Sequence, residues 1–176
     1  MKPAANRFSG TLGKIMIVTM WVVLLGLLTF YFQDFLDAEY NPNRDVQSRV
    51  SAQGSEEIVL QRNRYGHYVA SGTINGTTVR FLLDTGATDV SVPGQVARRI
   101  GLQRGAARYA QTANGVISVF ATTLDNVRLG SIGLDGVQAS INPHMQSDDV
   151  LLGMSFLKQL EFTQRGDQLI IRQASQ

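Results

Sequence analysis

From Glu56 onward, apolar and polar residues alternate with a period near two, the pattern of half-buried β-strands. Ile58-Val59-Leu60 opens the series, Tyr65-Gly66 offers a turn, and His67 to Ile74 alternates as far as Asn75-Gly76. Asparagine–glycine between alternating runs predicts a two-residue hairpin, because both residues tolerate positive φ. Thr77 to Leu83 is the return strand, with Asp84 at its end. Thr85-Gly86-Ala87 then form a turn of small residues, and Val90-Ser91-Val92 resumes an extended run closed by Pro93.

Gly94 to Ile100 predicts a short helix behind Pro93, stopped by Gly101. Residues 107–141 read as further hairpins, with turns at Ala113-Asn114-Gly115 and Gly130-Ser131. Val150-Leu151-Leu152-Gly153 follows Asp148-Asp149, and Met154 to Leu160 is a helix candidate. Phe162 and Leu169-Ile170-Ile171 flank Arg165-Gly166-Asp167, a last hairpin. The fold class is all-β with one or two short helices.

The start of the chain is different. Residues 15–32 carry no charge. Eighteen helical residues span about 27 Å, close to the hydrocarbon thickness of a bilayer. Trp21 and Phe30-Tyr31-Phe32 suit an interfacial belt. Lys2, Arg7 and Lys14 precede the span, and Asp34, Asp37 and Glu39 follow it. That asymmetry predicts a single-pass anchor with its N-terminus in the cytoplasm. A cleaved signal peptide fits less well, since Gln33-Asp34-Phe35-Leu36-Asp37 offers no small-residue cleavage site. The expected organisation is a cytoplasmic basic tail (1–14), a transmembrane helix (15–32), a tether (33–55) and a folded domain (56–173).

Charge and composition narrow the function. Beyond the apolar segment, 13 of the 16 bases face all 14 acids, so the folded domain carries no basic excess to attract nucleic acid. The chain contains no cysteine, which removes disulfides, thiolate metal sites and cysteine nucleophiles. His67 and His144 are isolated, so neither a metal nor another cofactor is expected. Gly130, Gly133 and Gly136 lack the spacing of a nucleotide loop. No serine has a plausible base. Asn75-Gly76-Thr77 matches a glycosylation acceptor, but the hairpin explains it better. Arg98, Arg99, Arg104 and Arg108 read as a solvated face, with contact to anionic lipid as the alternative. Asp148-Asp149 read as solvated or turn-capping.

One stretch remains as candidate chemistry. An apolar strand that ends on a carboxylate, followed by a tight turn, holds an acid at a rigid and partly dry position. Leu82-Leu83-Asp84-Thr85-Gly86-Ala87 and the later Leu151-Leu152-Gly153 resemble the two motifs of the retroviral-type aspartic proteases, the retropepsins. Asn114-Gly115 falls where that family has its flap hairpin. The membrane anchor and the run Leu151 to Leu157 resemble, more narrowly, a bacterial membrane-bound group of such proteases.

The resemblance implies a retropepsin-like half-barrel, the acid protease fold, over about 57–172. It implies Asp84 as the catalytic acid, supported by Thr85, Gly86 and Ala87. It also implies the hydrophobic–glycine motif Leu151, Leu152 and Gly153, and substrate contacts at Asp89, Asn114 and Gly115. A flap hairpin near 113–116 would cover the site. The chain carries one such motif in a half-size domain, so a homodimer would pair Asp84 with its symmetry mate over a peptide or protein substrate. Two carboxylates about 3 Å apart cannot both ionise and so share one proton, which is the chemistry amide hydrolysis by aspartates needs. Ala87 stands where pepsin-like enzymes commonly carry serine, implying a pH optimum less acidic than pepsin's, about 5–6.5. Thr88 departs from the family, where an acid usually grips the substrate backbone. The terminal strands that pair the viral dimers have no clear counterpart. The expected activity is aspartic endopeptidase, placed on the periplasmic face of a bacterial inner membrane. The alternative is a non-catalytic β module that binds extended peptides.

Overall fold

The computed structural model describes residues 7–50, 56–112 and 115–173. They divide into two units, one ending at Glu39 and one beginning at Tyr40.

The first unit is a single helix within α1 (Arg7–Tyr40). Its apolar side chains are exposed from Leu12 to Leu36, on every side of the helix. Among the described residues, it is the one helix long and apolar enough to cross a membrane. It continues beyond the uncharged span because nothing between residues 33 and 40 breaks a helix. Pro42 does: it disfavours α conformation at Asn41, and α1 ends at Tyr40.

Residues 40–50, expected within the tether, are built into the second unit. Asn41 and Asn43 are buried. The Asn43 side chain donates to the carbonyls of Gln61 (2.9 Å) and Val69 (2.7 Å) and accepts from the Gln61 amide (2.6 Å). A buried asparagine with its polar atoms satisfied in this way fixes the chain that carries it. Strand β1 (Ser48–Val50) then pairs antiparallel with β2 (Glu56–Gln61).

The strands that follow are β3 (Val69–Ile74), β4 (Thr77–Leu83) and β5 (Val90–Pro93). Asn75 and Gly76 both have positive φ (49° and 78°), as the hairpin between β3 and β4 requires. Helix α2 (Gly94–Arg99) ends just before Gly101, as read from the sequence. Next come β6 (Ala107–Thr112), the long β7 (Gly115–Leu129), β8 (Ile132–Asn142) and β9 (Asp149–Leu152). Helix α3 (Met154–Leu157) precedes the final hairpin, β10 (Leu160–Arg165) and β11 (Gln168–Gln173). Met154 to Leu160 is therefore not helical throughout. Leu160 is buried and pairs with Gln173 as the first residue of a strand.

Two sheets result. The larger has the order β3-β4-β9-β5-β8-β7-β6, and a further β3–β7 pairing closes six of these strands into a ring. Full closure removes the open edges of a sheet. Strand β6 hangs outside the ring on the first half of β7. The smaller sheet has the order β1-β2-β11-β10. One apolar cluster serves both, containing Phe81, Leu124, Ile141 and Leu152 from around the ring, Phe156 from α3, and Ile58 and Ile171 from the smaller sheet. Burying Phe81 or Phe156 fully contributes about 2–3 kcal/mol each. The fold is thus mostly β with two short helices, preceded by a long apolar helix.

Candidate active site

The site is built where β4 meets β9. These strands run parallel, with Phe81 opposite Val150, Leu82 opposite Leu151 and Leu83 opposite Leu152. Phe81, Val150 and Leu152 are fully buried, so the pair is fixed by its own packing. One residue beyond the pairing, the Asp84 amide donates to the Leu152 carbonyl (3.2 Å). The chain then turns, and the Ala87 amide donates to the Asp84 carbonyl (3.2 Å).

The turn also fixes the Asp84 carboxylate. The Gly86 amide donates to Asp84 Oδ1 across 2.9 Å. A Cβ on Gly86 would stand 3.1 Å from the same oxygen, so the absent side chain lets the amide approach. Asp84 itself is half-buried, while Thr85 and Gly86 are exposed at the tip.

The second motif braces the loop from behind. A Cβ on Gly153 would come within 2.7 Å of the Ala87 carbonyl oxygen, and closer still to that of Asp89. Only glycine fits there. The amides of Met154 and Ser155 donate to the carbonyls of Ala87 (2.8 Å) and Thr88 (2.9 Å). Ser155 Oγ accepts from the Val90 amide (2.9 Å) and donates to the Gln138 carbonyl (2.7 Å). Ser155 lies within the run Leu151 to Leu157, and its role is visible only in the fold. Its signal was a small hydroxyl two residues beyond a glycine forced by close packing.

A groove of about 960 Å³ opens over Asp84. Gly86, Ala87, Thr88, Asp89 and Leu151 line it from the two motifs. The β6–β7 hairpin forms a wall through Arg108 to Thr112, Ile117 and Val119, and His144 and Met145 stand on the β8–β9 connection. Thr85 and Gly115 are not among the lining residues. Leu152 and Gly153 are buried behind the loop rather than facing the groove. Gly115 (φ 109°) begins β7 at the hairpin tip, and Asn114 lies outside the described residues.

Two acids differ from their expected surroundings. Asp89 is ion-paired with Arg108 of β6. Arg108 therefore belongs to the groove and not to a solvated basic face. Asp149 is not solvated: it is 4% exposed, pairs with Arg80 and accepts a hydrogen bond from the Tyr40 hydroxyl. The Arg80 guanidinium also lies 4.8 Å from the centre of the Tyr40 ring. Burial, together with the Asp149 hydrogen bond and charge, pushes the Tyr40 phenol up to about 12. Among the described residues, no cluster of three or more His, Asp or Glu could hold a metal ion.

Comparison with known proteins agrees with this geometry. The family described as "gag-polyprotein putative aspartyl protease" matches residues 70–159, from β3 through α3. A Sinorhizobium protein, known as an uncharacterized protein in the cobV 5′ region, is 31% identical over 95% of this chain and 76% of its own length. An uncharacterized protein of Rickettsia prowazekii (strain Madrid E) is 26% identical over 82% of this chain and 64% of its own. The crystal structure of a retropepsin-like aspartic protease from Rickettsia conorii superposes with a TM-score of 0.56 at 25% identity, covering 73% of this chain and 94% of that one. The mostly β fold is retropepsin-like, and the chain belongs to the gag-polyprotein-type family of aspartyl proteases.

Proposed function

We propose that the protein is a membrane-anchored aspartic endopeptidase whose catalytic dyad is Asp84 from each of two protomers. The observation that carries this reading is the setting of Asp84. Its carboxylate is held by the Gly86 amide at the floor of a groove, on a turn whose tip is exposed. One protomer supplies a single such acid, so the chemistry needs a second copy. The exposed Thr85-Gly86 tip suits a two-fold contact, with glycine allowing the two backbones to approach.

In that dimer the two carboxylates hold one proton between them. The ionised carboxylate takes a proton from a water molecule, and the resulting hydroxide attacks the scissile carbonyl. The protonated carboxyl donates to the carbonyl oxygen as charge develops there. The tetrahedral intermediate then collapses, and the leaving amine takes up the proton that the first carboxylate received from water, which returns the dyad to one shared proton. The β6–β7 hairpin serves as the flap that covers the peptide and excludes bulk water. Leu151, Leu152 and Gly153 keep the loop in place, and no cofactor is required.

The uncharged stretch 15–32 is the proposed anchor, in a bacterial inner membrane with residues 1–14 cytoplasmic and the folded domain periplasmic. Its support is an apolar surface on every side and the bases that precede it. Confinement to a membrane raises the effective concentration of protomers and so favours pairing.

The test uses the full chain in detergent with an unstructured protein as substrate, at pH values from 4 to 7. Wild type cleaves it, and Asp84→Asn does not, with its circular dichroism unchanged. Excess Asp84→Asn protein added to wild type suppresses cleavage, because mixed dimers hold one carboxylate. Peptide binding without cleavage at high protein concentration would reject the enzyme in favour of a peptide-binding module.

A further inference from the structure

Among the described residues, the acids and bases that line the groove are Asp84, Asp89, Arg108 and His144. Asp84 is occupied by chemistry under the reading above, on which this inference rests. Asp89 is occupied by Arg108. The pair is lopsided: the Asp89 side chain is 23% exposed and that of Arg108 is 43% exposed. The carboxylate is the less exposed partner of the pair.

Arg108 leaves donors over. Its Nη2 donates to Asp89 and approaches the Ala139 carbonyl at 3.4 Å. A guanidinium carries five N–H donors in a planar fork. Both contacts use one corner of that fork, which pins the group against β8 and leaves Nε and Nη1 for a ligand in the groove. A half-exposed, pinned guanidinium is suited to a carboxylate, since little side-chain freedom remains to be lost on binding.

We infer that Arg108 gives the protease a preference for substrates with an acidic side chain near the scissile bond. A glutamate or aspartate of the peptide reaches the free edge of the guanidinium and makes a charge-assisted hydrogen bond. A lysine or arginine at the same position meets a like charge, and Asp89, already paired and less exposed, does not offset it. Arg108 is thus a specificity-determining residue, placed in the groove by the hairpin that also forms the flap.

The experiment digests a complex peptide pool with full-length protein in detergent at pH 6, where glutamate and aspartate side chains are ionised. Mass spectrometry reads the residues around each cut. Wild type should show acidic residues enriched at a fixed distance from the cleaved bond. For matched peptides differing only as Glu or Gln at that position, Arg108→Gln should lower the kcat/KM ratio about tenfold, the worth of one hydrogen bond to a charged group. Arg108→Lys should keep part of the preference. Asp89→Asn should increase it, because the guanidinium loses its internal partner. A hairpin tether alone would change overall rate and leave the ratio untouched. Cleavage that depends on Asp84 but shows the same profile in wild type and Arg108→Gln overturns this inference and leaves the protease reading standing. A wild-type protein that cuts nothing overturns both.

Discussion

Asp84 and Leu152 are joined through their backbones: the Asp84 amide donates to the Leu152 carbonyl across 3.2 Å, just past the last paired residues of β4 and β9. The proposed catalytic acid therefore takes its position from two buried parallel strands and not from the loop that follows. Substitutions that move those strands or the glycine behind them should disturb the site without touching the carboxylate.

Gly153→Ala is the sharpest case. The new methyl would stand within 2.7 Å of the Ala87 carbonyl oxygen, which is backbone and cannot swing aside. Overpacking of this kind should cost about 3 kcal/mol. Thermal unfolding followed by circular dichroism should show a midpoint lowered by about 10 °C, with proteolysis reduced even below that midpoint.

Asn43→Ala tests the boundary of the folded unit. The change removes side-chain hydrogen bonds to Gln61 and Val69 and leaves the buried Val69 carbonyl without that donor. A loss of about 3 kcal/mol is expected. A fragment starting at residue 56 should be less stable by a similar amount than one starting at residue 40, as measured by urea unfolding. Equal stabilities would show that residues 40–50 contribute nothing.

Tyr40 sets an alkaline limit. Its phenol, past the uncharged span and packed against Asp149, titrates at about 12 against an ordinary value of 10.0. The folded state thus holds the proton more tightly than the unfolded chain. The stabilisation is complete below about pH 10 and is lost as pH rises towards 12. Tyr40→Phe should remove this slope from a plot of stability against pH. It should also lower stability at neutral pH by about 1–2 kcal/mol, because Asp149 loses a partner while buried. An unchanged slope in the variant would assign the alkaline transition to another group.

Ala87→Ser addresses the pH range of catalysis. Ala87 lines the groove beside Asp84 and offers no side-chain donor. A hydroxyl there can stabilise an ionised carboxylate, so the acidic limb of the rate profile should move to lower pH. An unchanged limb counts against that role for position 87.

The parts legible in the sequence were those written locally. The hairpin at Asn75-Gly76 and the strand ending on Asp84 depend on neighbours in the chain, and both motifs stood out as strings. The polar network did not, because its partners are remote. Arg80 meets Asp149 across 69 residues, and Asn43 reaches Val69 across 26. Nothing about Asp148-Asp149 reveals that the second acid turns inward to an arginine on a neighbouring strand. Arg108 was grouped with Arg98, Arg99 and Arg104 by closeness in sequence. On a strand, however, its side chain goes to one fixed face, and there it meets Asp89 from the loop before β5.

The smaller sheet has one more consequence. Its order is β1-β2-β11-β10, so β11 lies between β2 and β10. The pairing described for this sheet needs no second copy, so a protomer can build it before it meets a partner. In the proposed dimer, pairing of the Asp84 loops is then a second-order event between folded subunits. In dilute detergent, activity should rise with the square of protein concentration. In the cell, crowding of chains in the membrane, and not the rate at which they fold, would act as the throttle.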